Sequence, residues 1–469
     1  MNTKRIFFNN AILTSLFSPI RFLLNLYLAS KLSPFEYGQV VIPILILSIS
    51  DLFIDSGLRT SLIQKASLNN KHSSSIFFYH LFISSFLFFI IILISTSSIL
   101  VSFDFFKEIR LLVFLSGLIL FIKSLSLIPE ARMQIKFQFG TLVLYEFISN
   151  FFAYVITIFY SVHFDKKYSL IILYFLIYFF FTLLVFFKEK FIPKRIDFSI
   201  KLIYFHWRSG KKILAQGILE LLNDKLDELV ALKIVNTSSL GIYSKGRELS
   251  NTIGIFGSKF FSRPWFSVMS KFSSDKLYFR TKYNYAISFL FFFIVIFLNI
   301  SFYFGDLIIQ TFLGNNWLAL IEYFKYFILY SAFYFLIVFN KYTLAALGLF
   351  NKNLYFENLY ISLKLILIIS FIYFFFNQNI WTKNILLAII VLDLFSKLII
   401  YFIQSKCLDI FLNPNSKKFL FNFFLIIFFF LSFLISNTLL FFLSTVFLLL
   451  FLVFTLFVSP NLLSRHGIN

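Results

Sequence analysis

Charge is scarce in this chain and cysteine is nearly absent. Of 469 residues only 13% are Asp, Glu, Lys or Arg, against about 25% in soluble domains. The single cysteine, Cys407, cannot form an intrachain disulfide. The five histidines show no HExxH spacing, and neither CxxC nor the phosphate-cradling GxxxxGK[ST] occurs. No metal ligand set, catalytic residue or cofactor is therefore expected, and a nucleotide-driven machine is excluded. Acids are scarcer than bases: 21 against 42, for a net charge of +21.

What is present is apolar. Hydrophobic residues make up 59% of the chain and aromatics 22%, with 75 Phe. Runs such as LFISSFLFFIIILIS (81–95) lack the polar outer face of a soluble helix and match the length of a bilayer crossing. The pattern predicts an all-α integral membrane protein with about fourteen transmembrane helices. The first run lies behind Lys4 and Arg5 and contains Arg21 and Asn25 without a small-residue cleavage site. It reads as a retained helix rather than a leader. Basic loops alternate with poor ones, so the positive charge follows the positive-inside rule rather than nucleic acid. Both termini should be cytoplasmic.

The longest loop is a basic run, KEKFIPKRIDFSIKLIYFHWRSGKK (188–212), at the chain's midpoint. It divides the chain into an N-terminal six-helix bundle (1–187), a cytoplasmic linker (188–211) and a second six-helix bundle (212–403). A loop and two additional helices (404–469) follow. ASKLSPFEYG (29–38) and ALKIVNTSSLG (231–241) share Ala, Lys, an aliphatic, a polar turn and Gly. Each joins the first helix of its half to the second, on the same predicted side, as a parallel repeat requires.

Polar residues concentrate on those four helices. At about 100° per residue, Thr14, Ser18, Arg21 and Asn25 form one stripe, and Ser48, Asp51, Asp55 and Arg59 another, along a segment drawn as 39–62. In the second half Gln216, Glu220, Asn223, Asp224 and Asp227 share a face of 212–235. Lys245, Glu248, Thr252 and Lys259 share a face of 241–264. Ions on a membrane helix must meet water or one another. The stripes therefore either line a water-filled cavity between two bundles or pair to lock helices, with Lys245 and Lys259 free to snorkel. Arg21 has no acid at i±3 or i±4. Its guanidinium suits a phosphate held bidentately, or else a pair with Asp51 or Asp55.

Several of these stretches resemble one family. LSPFEYG, DLFIDSGLRTSLIQ, IPEARMQIKFQFGTLVLYEFIS (128–149) and LLNDKLDELVALKIVNTSSLGIYSKGRELSN, in order over residues 10–350, resemble the polysaccharide transporters. These are Wzx-type lipid-linked oligosaccharide flippases of the multidrug/oligosaccharidyl-lipid/polysaccharide (MOP) exporter superfamily. The resemblance implies two six-helix bundles in a V around a central cavity, plus two extra C-terminal helices. It implies translocation of undecaprenyl-diphosphate-linked repeat units across the bacterial inner membrane for O-antigen, capsule or exopolysaccharide. The partners would be the lipid-linked substrate, membrane lipid, and a polymerase with its chain-length regulator. Energy would come from H+, Na+ or consumption of the product. Lys225 and Glu228 depart from the family pattern around Asp227. The alternatives are a drug antiporter of the same superfamily and a membrane polymerase or glycosyltransferase. The antiporter would use Asp51, Asp55 or Asp227 as its ion site; the enzymes usually carry a long periplasmic loop, and here the outer loops are short.

Overall fold

The computed structural model describes residues 3–64, 69–96, 104–194, 197–378 and 385–412. All regular structure among them is helical: α1 (Thr3–Ser30), α2 (Pro34–Asp55), α3 (Leu58–Gln64), α4 (Asn70–Thr96), α5 (Asp104–Ile135), α6 (Phe139–His163), α7 (Ser169–Glu189), α8 (Ile200–Ile234), α9 (Thr237–Met269), α10 (Lys276–Phe312), α11 (Ile321–Ala346), α12 (Phe350–Gln378) and α13 (Ile385–Leu412). Three short 3-10 turns join some of them. Among the described residues nine helices are long and apolar enough to cross a membrane. The helices expected at 419–437 and 440–458 lie outside the described residues.

The chain divides into two compact units. The first comprises residues up to Ser244 together with Thr311–Trp317. Leu58, Leu62, Ile76, Phe77, Ile128, Ala131 and Phe191 form its principal buried cluster, tying α3, α4 and α5 to the segment after α7. Trp317 is fully buried in this unit. Its indole N–H donates to the carbonyls of Ala29 at 3.0 Å and Leu32 at 3.1 Å, and its ring meets Tyr37 edge-on. Ala29 lies in the last turn of α1, where its carbonyl also accepts the Leu32 N–H at 3.1 Å, and Leu32 follows the helix, so a distant indole helps to satisfy the carbonyls at this terminus.

The stretch after α1 is a built turn. Ser33 caps α2 by accepting from the Glu36 N–H at 3.2 Å, and the Glu36 carboxylate accepts the Ser33 N–H at 2.7 Å. Pro34 occupies the first turn, where its missing N–H costs nothing. In the second copy Asn236 plays the capping part, its side chain accepting from the Ser239 N–H at 2.8 Å.

Two expectations are corrected. The segment drawn as one helix over 39–62 is broken: α2 ends in the left-handed pair Ser56 (φ 47°) and Gly57 (φ 71°), and α3 starts anew. A Cβ on Gly57 would lie 2.3 Å from the Gly210 carbonyl oxygen, so both its backbone conformation and the approach of α8 require glycine there. The segment drawn from 212 begins instead at Ile200, so α8 runs unbroken for 35 residues out of the basic stretch. Its early turns alternate a buried face (His206, Gly210) with an exposed one (Tyr204, Arg208), an amphipathic pattern that charge density had masked.

The second unit comprises Lys245–Gln310 and the chain from Leu318 onward. Trp265 donates to Thr343 at 3.0 Å. The Tyr283 hydroxyl donates to Asn340, whose amide donates to Ser405. These bonds tie α9, α10 and α13 to α11, in the way polar side chains join helices where water is absent.

Candidate functional site

Arg21 and Asn25 stand one turn apart on α1. Arg21 is exposed and makes no hydrogen bond or ion pair among the described residues. Asn25 is half-buried, and its amide donates to the Tyr154 hydroxyl of α6 at 3.2 Å. The side chain of Thr14 lies outside those described.

The acids that would partner Arg21 are engaged elsewhere. Asp51 pairs with Lys123 of α5, and the same ammonium sits 4.8 Å from the centre of the Tyr178 ring. Asp55 accepts from the backbone N–H of Arg59 at 3.1 Å, which caps the first turn of α3. The Arg59 guanidinium reaches Glu130 on α5, and that carboxylate also accepts from Gln134 at 3.0 Å. The spacing of four between Asp55 and Arg59 thus serves a helix start, while α5 supplies the counter-charges. Lys123 and Glu130 were missing from the sequence-based set. A lone lysine inside LILFIKSLSLI (118–128) was the available signal, since an unpaired ammonium in an apolar crossing demands a partner.

On α8 the predicted face splits. Glu220 is exposed and accepts from Gln216 at 3.1 Å; Asp224 is exposed and Asn223 half-buried. Asp227, in contrast, is fully buried and accepts from the Tyr243 hydroxyl across the α8–α9 turn. Glu228 is buried beside it, taking the Ser244 hydroxyl and, at 2.7 Å, the Lys225 ammonium. Lys225 and Glu228, the departures from the family pattern, therefore pair with each other.

In the second unit Lys245 is fully buried and bonds Glu248 at 3.0 Å, so it does not snorkel. The Thr252 hydroxyl donates to the Glu248 carbonyl at 2.8 Å, a bond within the helix. The side chain of Lys259 lies outside those described. A denser network lies outside the predicted stripes, on α9, α11, α12 and α13. Lys364 of α12 bonds Asp393 of α13 at 3.2 Å, and the Tyr360 hydroxyl donates to the same carboxylate at 2.7 Å. Lys397 sits 4.3 Å from the Tyr330 ring centre and 4.8 Å from that of Tyr360. Arg247 reaches the Tyr330 hydroxyl at 3.4 Å. All of these are buried. The i, i+4 spacing of Asp393 and Lys397 inside VLDLFSKLII was the readable trace of it.

Asp51, Arg59, Lys245 and Lys364 are thus paired on apolar helices, and Arg21 is exposed with no ion-pair partner among the described residues. Residues 27–322 match the family described as polysaccharide biosynthesis protein. The chain belongs to that family. The fold agrees. A lipid II flippase MurJ in an inward closed conformation superposes with a TM-score of 0.67 at 15% identity, over 96% of this chain and 99% of that one. An inward-facing multidrug resistance MATE transporter of the MOP superfamily gives 0.57 at 14% identity, over 87% and 99%. No curated protein matches the chain by sequence. This is therefore a multi-pass membrane protein of the polysaccharide biosynthesis family, with the fold seen in those two transporters.

Proposed function

We propose that this polysaccharide biosynthesis family member is a flippase. It moves undecaprenyl-diphosphate-linked oligosaccharide repeat units across the bacterial inner membrane, for O-antigen, capsule or another exopolysaccharide. The observation that carries the reading is the state of Arg21. Asp51 is taken by Lys123 and Asp55 by the start of α3, which leaves the guanidinium exposed on α1. A planar fork of donors in that position is suited to a diphosphate. Asn25, one turn further along, and its α6 partner Tyr154 offer amide and hydroxyl groups of the kind that bind sugar hydroxyls. Family and fold support the transport class, and the engagement of Asp51 by a lysine weighs against a cation antiporter using that acid.

In this reading both termini are cytoplasmic, energy comes from an H+ or Na+ gradient or from consumption of the product, and a polymerase with its chain-length regulator takes that product. The test is binding of a lipid-linked diphosphate oligosaccharide to the purified protein in lipid, beside its melting temperature. Arg21→Ala should lose binding and glycan export while still melting as the parent does. Arg21→Lys should keep part of both, since charge survives without the bidentate fork. Undiminished binding by Arg21→Ala would sink the assignment.

A further inference from the structure

The first turns of α8 carry a surface that transport does not explain. Their inner face is anchored: His206 and Gly210 are buried, Ile203 and Trp207 pack on the main cluster, and the His206 ring bonds Ser61 at 3.0 Å. The opposite face is therefore fixed in direction. It presents Ile200, Tyr204 and Phe205, exposed by 72%, 67% and 50%, interleaved with exposed Lys201, Arg208 and Lys211. Water disfavours the first three and hydrocarbon the last three. The boundary between headgroups and acyl chains accommodates both.

The charge on this surface is of one sign. Between residues 187 and 212 the only acids are Glu189 and Asp197. Glu189 is turned inward and paired with Lys136 at 2.7 Å and Arg132 at 3.5 Å; Asp197 is half-buried. We propose that this face of α8 binds anionic phospholipid, its cations on the phosphodiester headgroups and its aromatic and aliphatic side chains against the upper acyl chains. Zwitterionic lipid would satisfy the apolar half alone.

The test uses full-length protein in nanodiscs of dioleoylphosphatidylcholine with a rising fraction of dioleoylphosphatidylglycerol, read as melting temperature. Phosphatidylglycerol should stabilise saturably, and raised salt should weaken the effect. The triple variant Lys201→Gln/Arg208→Gln/Lys211→Gln should need about a hundredfold more of it, at the order of fivefold per surface cation. Lys201→Arg/Lys211→Arg should respond as the parent does. If the triple variant does not fold, the salt titration of the parent decides alone. Equal stabilisation by phosphatidylcholine, a parental response from the triple variant, or no effect of salt would overturn the proposal. So would displacement of phosphatidylglycerol by polyglutamate, which would point to an acidic protein partner instead.

Discussion

Gly38 and Gly241 meet backbone to backbone within the first unit. A Cβ on Gly38 would fall 1.9 Å from the Thr237 carbonyl oxygen, and one on Gly241 would fall 1.9 Å from that of Pro34. The closing glycines of the two ASKLSPFEYG-like stretches thus let the starts of α2 and α9 touch. Small residues at a helix crossing allow such approach in membranes. Gly38→Ala and Gly241→Ala should each cost about 1–3 kcal/mol, the range for overpacking. The double variant should cost less than the sum, because separating the helices once relieves both clashes. Denaturation of the purified protein measures all three. Gly348 gives the contrast: its added Cβ meets open space at φ +76°, so only backbone strain of about 1 kcal/mol is expected there.

The ion pair of Asp51 with Lys123 predicts a rescue pattern. Each side chain is less than a third exposed. Asp51→Asn or Lys123→Met alone should therefore cost toward the lower end of the about 3–5 kcal/mol seen when one partner of a buried pair is removed. The double variant should recover most of it. Arg21→Ala should gain nothing from Asp51→Ala, since the two residues do not pair. A rescue of Arg21→Ala by Asp51→Ala would return Arg21 to a structural role.

How much of this could be read beforehand depends on how local each cause is. The capped turn at Ser33–Glu36 was legible, because its determinants lie within four residues. The Asp-Ser-Gly at 55–57 was equally local, yet a hydropathy window ran through it and joined α2 to α3. That reading set Asp51, Asp55 and Arg59 on one continuous helix, whereas α2 ends at Asp55 and Arg59 belongs to α3. The partners of these ions were not legible, because Lys123 and Glu130 reach them through the packing of α5 on α2 and α3. The α8 stripe divides for a related reason. Asp224 and Asp227 lie three residues apart, on one side of the helix by angle, but Tyr243 covers the second and leaves the first exposed.

Sidedness follows from the distribution of lysine and arginine. Cysteines or reporter fusions at Lys194 and Lys276 should report the cytoplasm, and those at Lys166 and Asn315 the periplasm. A shared side for Lys194 and Asn315 would overturn the orientation and the two-half scheme with it.

The buried network of the second unit should be sensitive to Asp393. Asp393 accepts from both Lys364 and Tyr360, with Lys397 close by over the Tyr360 ring. Asp393→Asn removes the carboxylate that Lys364 and Tyr360 share and should cost about 3–5 kcal/mol. Lys364→Met should cost less, because the carboxylate retains the phenol hydrogen bond. A smaller loss for Asp393→Asn than for Lys364→Met would mean that the carboxylate does not hold the cluster together.

Asp227 separates a tether from a transport group. It is fully buried and accepts from Tyr243 sixteen residues on. Tyr243→Phe withdraws that donor from a buried carboxylate and should cost about 1–3 kcal/mol. Asp227→Asn keeps an oxygen able to accept from the phenol, so it should cost less and leave glycan export close to the parent's. A carboxylate that takes up a coupling ion would give the reverse order: Asp227→Asn would stop export at unchanged melting temperature, while Tyr243→Phe would only soften the protein. Measuring export and melting temperature on both variants decides between the two, and the hydroxyl across the turn favours the tether.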